Sequence, residues 1–257
     1  MRCNDHSNII SLRKENDLPE VLECNATTYG THTRKVQPRL SWMLFFPVIA
    51  TMLVNNVYAY LQVSATPYLL KNFGVSLTVG GTVVACIGIG VAVGSILSGW
   101  LSQKNMLHTF VQMSLGSLVV GLGLLLIYPH PSFTWLYENG PILAFPAVII
   151  CGLGDPIITV ASLRAMEDLQ LAIQGFITPS QILEISSLWL VGYSVATYAG
   201  PLIAGPLMEH LEFFQAAWIL LVFCAVSLMI NIIMYFFSKK LEADNDEGTP
   251  LLTSNVR

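Results

Sequence analysis

Leu77 to Leu101 reads LTVGGTVVACIGIGVAVGSILSGWL, an unbroken run without one charged side chain. Crossing a bilayer core of about 30 Å takes roughly 20 residues of helix, so this run is long enough to span it. Outward from it lie five more apolar stretches of bilayer length, at 42–63, 107–128, 141–163, 183–208 and 213–237, of which the third carries Asp155 and the fourth Glu184. The whole chain is 54% hydrophobic and only 11% charged, whereas ordinary soluble domains carry about 25% charged residues. A soluble domain of this length could not hide that much apolar side chain. The fold class is therefore all-α: a polytopic membrane protein with six transmembrane helices over 41–238, between polar tails at 1–40 and 239–257.

The net charge of −4 belongs mostly to the tails and short loops. No basic stripe with interleaved aromatics occurs, which argues against nucleic acid as a partner. Five cysteines without a C-x-x-C pair argue against a disulfide framework or a zinc site. No cofactor is expected. The first forty residues lack the apolar segment of a signal peptide, and the chain begins as the middle of a transporter would.

Orientation follows from Lys and Arg placement. Arg34, Lys35 and Arg39 precede the first span, Lys104, Arg164, Lys239 and Lys240 fall on the same side, and Lys71 stands alone opposite. Both termini are expected in the cytoplasm. Asn25-Ala26-Thr27 matches a glycosylation sequon, but a cytoplasmic tail does not meet the glycosyltransferase. The segment from Arg164 to Ile182 reads as a connection, in which Arg164 and Asp168 are spaced to pair if it forms a surface helix.

Polar groups at membrane depth are costly and tend to face a cavity or another helix. Thr51, Asn55, Tyr58 and Gln62 share one face of the first span, and Asn56 points away from it. Two readings stand: interhelical hydrogen bonding, or the wall of an aqueous substrate path. Asp155, in Cys151-Gly152-Leu153-Gly154-Asp155-Pro156, is the most deeply placed charge, and Thr159 and Ser162 continue its face. It reads either as a proton or cation site or as the cap of a helix broken at Gly-Asp-Pro, with Pro156 at the first position of the second segment. Trp189 and Tyr193, four apart, make either core packing or an aromatic wall for an organic cation.

Gly90 and Gly94 form a G-x-x-x-G pair, read as helix packing within the bundle or as a dimerisation face. Gly200-Pro201 and Gly205-Pro206 sit within the fifth span, where they loosen the hydrogen-bond ladder and suit a bend or gate. An intramembrane enzyme is not expected. Gly192-Tyr193-Ser194 begins a G-x-S-x-G pattern, but Ala196 replaces its second glycine, and His108, His130 and His210 all lie at span edges.

Gly99-Trp100-Leu101-Ser102-Gln103-Lys104 resembles the loop motif that follows the second helix of each half of a major facilitator superfamily transporter, with its acidic member replaced. The polar first span, glycine-rich second span and Gly-Pro fifth span resemble the C-terminal half of that superfamily. Pro67-Tyr68-Leu69-Leu70-Lys71-Asn72-Phe73-Gly74 and Met208-Glu209-His210-Leu211-Glu212-Phe213 are similar to the vesicular amine transporter family, above all its polyamine branch. Leu190 stands where monoamine members carry a membrane aspartate, and Asp155 lies too early to match the other.

The resemblance implies alternating access, with a small organic cation exchanged for protons. It also implies that transport needs a homodimer or a missing N-terminal half. Glu247, Leu251 and Leu252 read as an acidic dileucine signal for a clathrin adaptor, which implies a vesicular or endolysosomal membrane. The other expectation is a truncated, non-transporting isoform that serves as a membrane scaffold or regulatory partner.

Overall fold

The computed structural model describes residues 41–248, apart from 105, 130, 131, 133 and 175. The chain divides between Gln37 and Pro38, and every helix described belongs to the unit that begins at Pro38. A 3-10 turn at Trp42–Leu44 leads into α1 (Phe45–Phe73), followed by α2 (Leu77–Gln103) and α3 (Thr109–Ile127). After the short α4 (Thr134–Glu138) come α5 (Gly140–Gln174), α6 (Pro179–His210) and α7 (Phe213–Gly248). All but α4 are long and apolar enough to cross a membrane, α7 over Phe213–Leu241. The protein is an all-α, multi-pass membrane protein.

The spans are longer than their apolar runs. α1 continues through Pro67 to Phe73. α5 continues through Arg164, Glu167 and Asp168 to Gln174, so the expected connection from Arg164 to Ile182 is mostly helix. The reason is local: residues 164–174 are rich in Ala, Leu, Met, Glu and Gln, strong helix formers that need no hydrocarbon around them. The helix expected to break at Asp155-Pro156 is likewise continuous. A helical proline there removes one hydrogen bond, to the Gly152 carbonyl, without ending the helix.

The turns are closed by specific residues. Gly74, at φ 64°, ends α1 in the left-handed conformation while its N–H bonds the Leu70 carbonyl at 3.1 Å. Ser76 caps α2. Thr178 and Gln181 form a capping box at the start of α6, with Pro179 in its first turn. Gln181 also donates to Gln174 Oε1 at 2.6 Å, which ties the start of α6 to the end of α5.

α1 and α5 are the central helices. α2 packs on α5 as α6 packs on α1, α3 packs on α5 as α7 packs on α1, and α3 and α7 pack on each other. The first three spans and the last three thus play interchangeable parts in the packing.

Small residues set the closest approaches. A methyl group at Gly94 would lie 2.6 Å from the Leu153 carbonyl oxygen, and Gly90 meets Ile149 and Gly152 just as tightly. The G-x-x-x-G pair therefore packs α2 on α5 inside the bundle, as the first of its two readings holds. Gly200 brings α6 onto Ala59 and Asn56 of α1.

Polar side chains join the helices in pairs. Ser64 and Tyr128 share a 2.6 Å hydrogen bond between α1 and the end of α3. Ser117 and Ser227 lie 3.1 Å apart, and Ser227 donates to the Ala50 carbonyl at 3.0 Å, joining α3, α7 and α1. Gln112 donates to Ser98 Oγ at 2.9 Å.

Candidate functional site: a carboxylate between two tyrosines

The Asp155 side chain is buried, and its Oδ1 has no hydrogen-bond partner. It is held on α5 by the two glycines that precede it. Gly152 lies against Ile87 and Gly90 of α2, and Gly154 against Gly116 and Val120 of α3. Both glycines clamp α5 from behind, and Asp155 faces α1 and α6. Tyr58 of α1 and Tyr193 of α6 lie within electrostatic reach of its carboxylate. Gln62, one turn beyond Tyr58, lies beside the Tyr58 hydroxyl and is exposed.

The aromatic side of the site is fixed by α6. Trp189 and Tyr193 stack with ring centroids 5.3 Å apart and planes 19° off parallel. The Trp189 indole N–H donates to Ser162 Oγ at 2.8 Å. Ser162 in turn donates to the Thr159 carbonyl at 2.9 Å. The indole is thereby locked in place two turns along α5 from Asp155. Gly192, packed on Val48 and Met52, seats this part of α6 on α1.

Five of the expected site residues thus converge: Tyr58, Gln62, Asp155, Trp189 and Tyr193. The other two, Thr51 and Asn55, lie deeper in the bundle. Thr51 is buried and its hydroxyl donates to the Pro47 carbonyl of its own helix at 2.9 Å. Asn55 is buried with its Nδ2 unpartnered. These two belong to the interior, while on the same face Tyr58 is half-buried and Gln62 exposed.

The Gly-Pro pairs of α6 differ in their packing. Gly200 makes a close helix contact, but a methyl at Gly205 would meet nothing, and Pro201, Gly205 and Pro206 are all exposed. Gly205 brings no neighbour close. Glu247 lies near the end of α7, and Leu251 and Leu252 lie outside the described residues.

Sequence reasoning missed two groups. Asn231 of α7 is fully buried with both amide atoms unpartnered, and Gln170 of α5 is the same. Asn231 is a single amide inside an apolar run and Gln170 one polar residue among several in the extension of α5, so neither gives a periodic signal and only depth in the bundle exposes them. The third was half visible: Arg164 of α5 donates to the Ser102 carbonyl at the end of α2. A cation on the last carbonyls of a helix is favourable. That contact latches α2 to α5 without the acidic side chain missing from Gly99–Lys104.

Chemically, the arrangement offers one carboxylate with an unfilled acceptor, two phenols and a stacked indole, all in a poorly solvated place. Such a set suits a cation or a proton, because a buried anion is costly until something positive meets it. Comparisons with protein-family models, with curated proteins and with solved structures return no match to this chain.

Proposed function

We propose that this protein is one six-helix wall of a facilitator-type membrane transporter that carries small organic cations, such as polyamines or monoamines, against protons. The observation that carries the reading is the unpartnered Asp155 oxygen facing Tyr58 and Tyr193, with Trp189 stacked behind. An ammonium group would neutralise the carboxylate and lie against aromatic faces, and a proton arriving at Asp155 would release it.

The packing supports the same reading. Three spans that interchange with the other three, around central helices that hold Tyr58 and Asp155, suit a transporter built from repeated halves. α2 and α6 leave much of their length uncovered and have little contact with each other. A second six-helix unit, from a second copy or from another stretch of chain, would cover them, and alternating access is rocking of the two about Asp155. In this reading the Lys/Arg-rich end faces the cytoplasm, and the Glu247–Leu252 segment directs the protein to a vesicular membrane through a clathrin adaptor.

The test is uptake of labelled spermidine into proteoliposomes that are acidic inside. Wild-type protein takes up spermidine while the gradient lasts. Asp155→Asn keeps the helical content and loses the uptake. Absence of uptake by well-folded wild type would sink transport by this chain alone and leave the scaffold role.

A further inference from the structure

At the end of the bundle that carries Lys71, far from the Lys/Arg-rich end, two cavities adjoin. The smaller, about 240 Å³, is lined by Lys71, Asn72 and Glu212 together with aromatic rings. The larger, about 570 Å³, is almost wholly apolar and runs between α3, α4, α5 and α7 past Leu122, Leu125, Leu136 and Trp218. Tyr128, Pro129 and Phe214 line both. A polar chamber therefore opens beside an apolar one across a shared wall.

The charges in the polar chamber are unusual for their isolation. Lys71 and Glu212 line the same space, yet among the described residues no ion pair or hydrogen bond joins them. The Lys71 ammonium lies 5.7 Å from the Phe213 ring centroid instead. Tyr68 anchors the floor, packed edge-on against Tyr128 at 4.7 Å and Phe213 at 5.3 Å. Tyr128 is pinned by its bond to Ser64. The chamber thus keeps a cation and an anion apart on a rigid aromatic base.

We propose that these two cavities together hold one zwitterionic phospholipid. Its phosphate meets Lys71 and Asn72, its ammonium meets Glu212, and one acyl chain fills the apolar cavity beside Trp218. The fit rests on three matches. One positive and one negative side chain complement a headgroup that carries one of each. The apolar volume lies within the roughly 300–1,000 Å³ typical of small-molecule sites. Tyr128 at the junction is of a residue type that favours headgroup depth, and Trp218 lines the apolar cavity beyond it. An anionic lipid would instead set an uncompensated negative charge beside Glu212. The proposal is independent of transport, and so is its test.

Purified full-length protein, stripped of co-purifying lipid, would be offered equal amounts of phosphatidylethanolamine, phosphatidylcholine and phosphatidylglycerol and examined by native mass spectrometry. One retained lipid per chain is expected, zwitterionic and several-fold favoured over phosphatidylglycerol. Glu212→Lys, an exposed change that leaves the fold intact, turns the preference towards phosphatidylglycerol. Ala217→Phe fills the apolar cavity, where Ala217 is part of the lining, and loses the lipid of either kind. Melting curves separate that loss from misfolding. The proposal is overturned if wild type retains no lipid or binds all three equally, if Glu212→Lys leaves the preference as it was, or if folded Ala217→Phe still holds its lipid.

Discussion

Gly154→Ala tests whether backbone contact, and not side-chain burial, holds the central helix in place. The added methyl would sit 2.8 Å from the Gly116 carbonyl oxygen and 2.9 Å from the Val120 nitrogen, both backbone atoms of α3. Ordinary contact begins at 3.4 Å, so α3 must retreat by about 0.6 Å, the difference between 3.4 and 2.8. The Val120 Cγ2 methyl, at 2.6 Å, is nearer still but belongs to a side chain; the two backbone atoms cannot swing aside as it could. Overpacking of this kind costs about 1–3 kcal/mol, while replacing a helical glycine by alanine returns about 0.5–1 kcal/mol. The balance is a loss of roughly 1–2 kcal/mol, or a melting temperature lower by about 2–8 °C for a chain of this size. Gly88→Ala is the control: a methyl there meets nothing within 4 Å, so only the helical gain remains and the melting temperature rises by a few degrees. Thermal melts of purified protein in mild detergent, followed by far-ultraviolet circular dichroism, measure both. If the two variants shift in the same direction, the glycines of α5 do not set the α3–α5 contact and the reasoning fails.

Other substitutions probe single contacts. Tyr128→Phe removes the hydroxyl bonded to Ser64 and should cost about 0.5–1.5 kcal/mol in the same melts. Arg164→Ala frees the Ser102 carbonyl and should cost about 1.5–3 kcal/mol, with hydrogen exchange rising first at the end of α2. Trp189→Phe keeps the ring stacked on Tyr193 but drops the bond to Ser162. It should weaken spermidine uptake while leaving the melting temperature within a few degrees.

The six crossings were legible because apolar runs of bilayer length with at most one charge have few other uses. Their ends were not. Arg164 to Gln174 contains no apolar run, yet its helix propensity carries α5 onward, and a hydropathy reading stops where the hydrocarbon does. The face of Thr51, Asn55, Tyr58 and Gln62 was visible from spacing, but its depth was not. Periodicity gives direction around one helix; it does not say that Thr51 turns back on Pro47 while Tyr58 comes within electrostatic reach of Asp155. The partner of Trp189 was hidden for the same reason, since Ser162 lies on another helix and no spacing links the two. Gly-Asp-Pro read as a break because proline removes a bond, but one missing bond within a 35-residue helix held on several sides does not end it.

The placement of the candidate site on α1, α5 and α6 has an energetic cause. An aspartate at the centre of an isolated membrane helix costs about 2.5–3.5 kcal/mol, and it is tolerable only where neighbours replace lipid. α1 and α5 are the two helices flanked by most of the others, and they hold Tyr58 and Asp155. The less covered α6 contributes only amphipathic aromatics, Trp189 and Tyr193, whose rings tolerate a half-apolar setting. Packing has partnered the other polar pairs, Ser64 with Tyr128 and Ser117 with Ser227, and left the Asp155 oxygen without a donor. Among the buried groups left without a partner, which include the Asn231 and Gln170 amides, the carboxylate is the most costly, and the proposed function gives it a cation or a proton to meet.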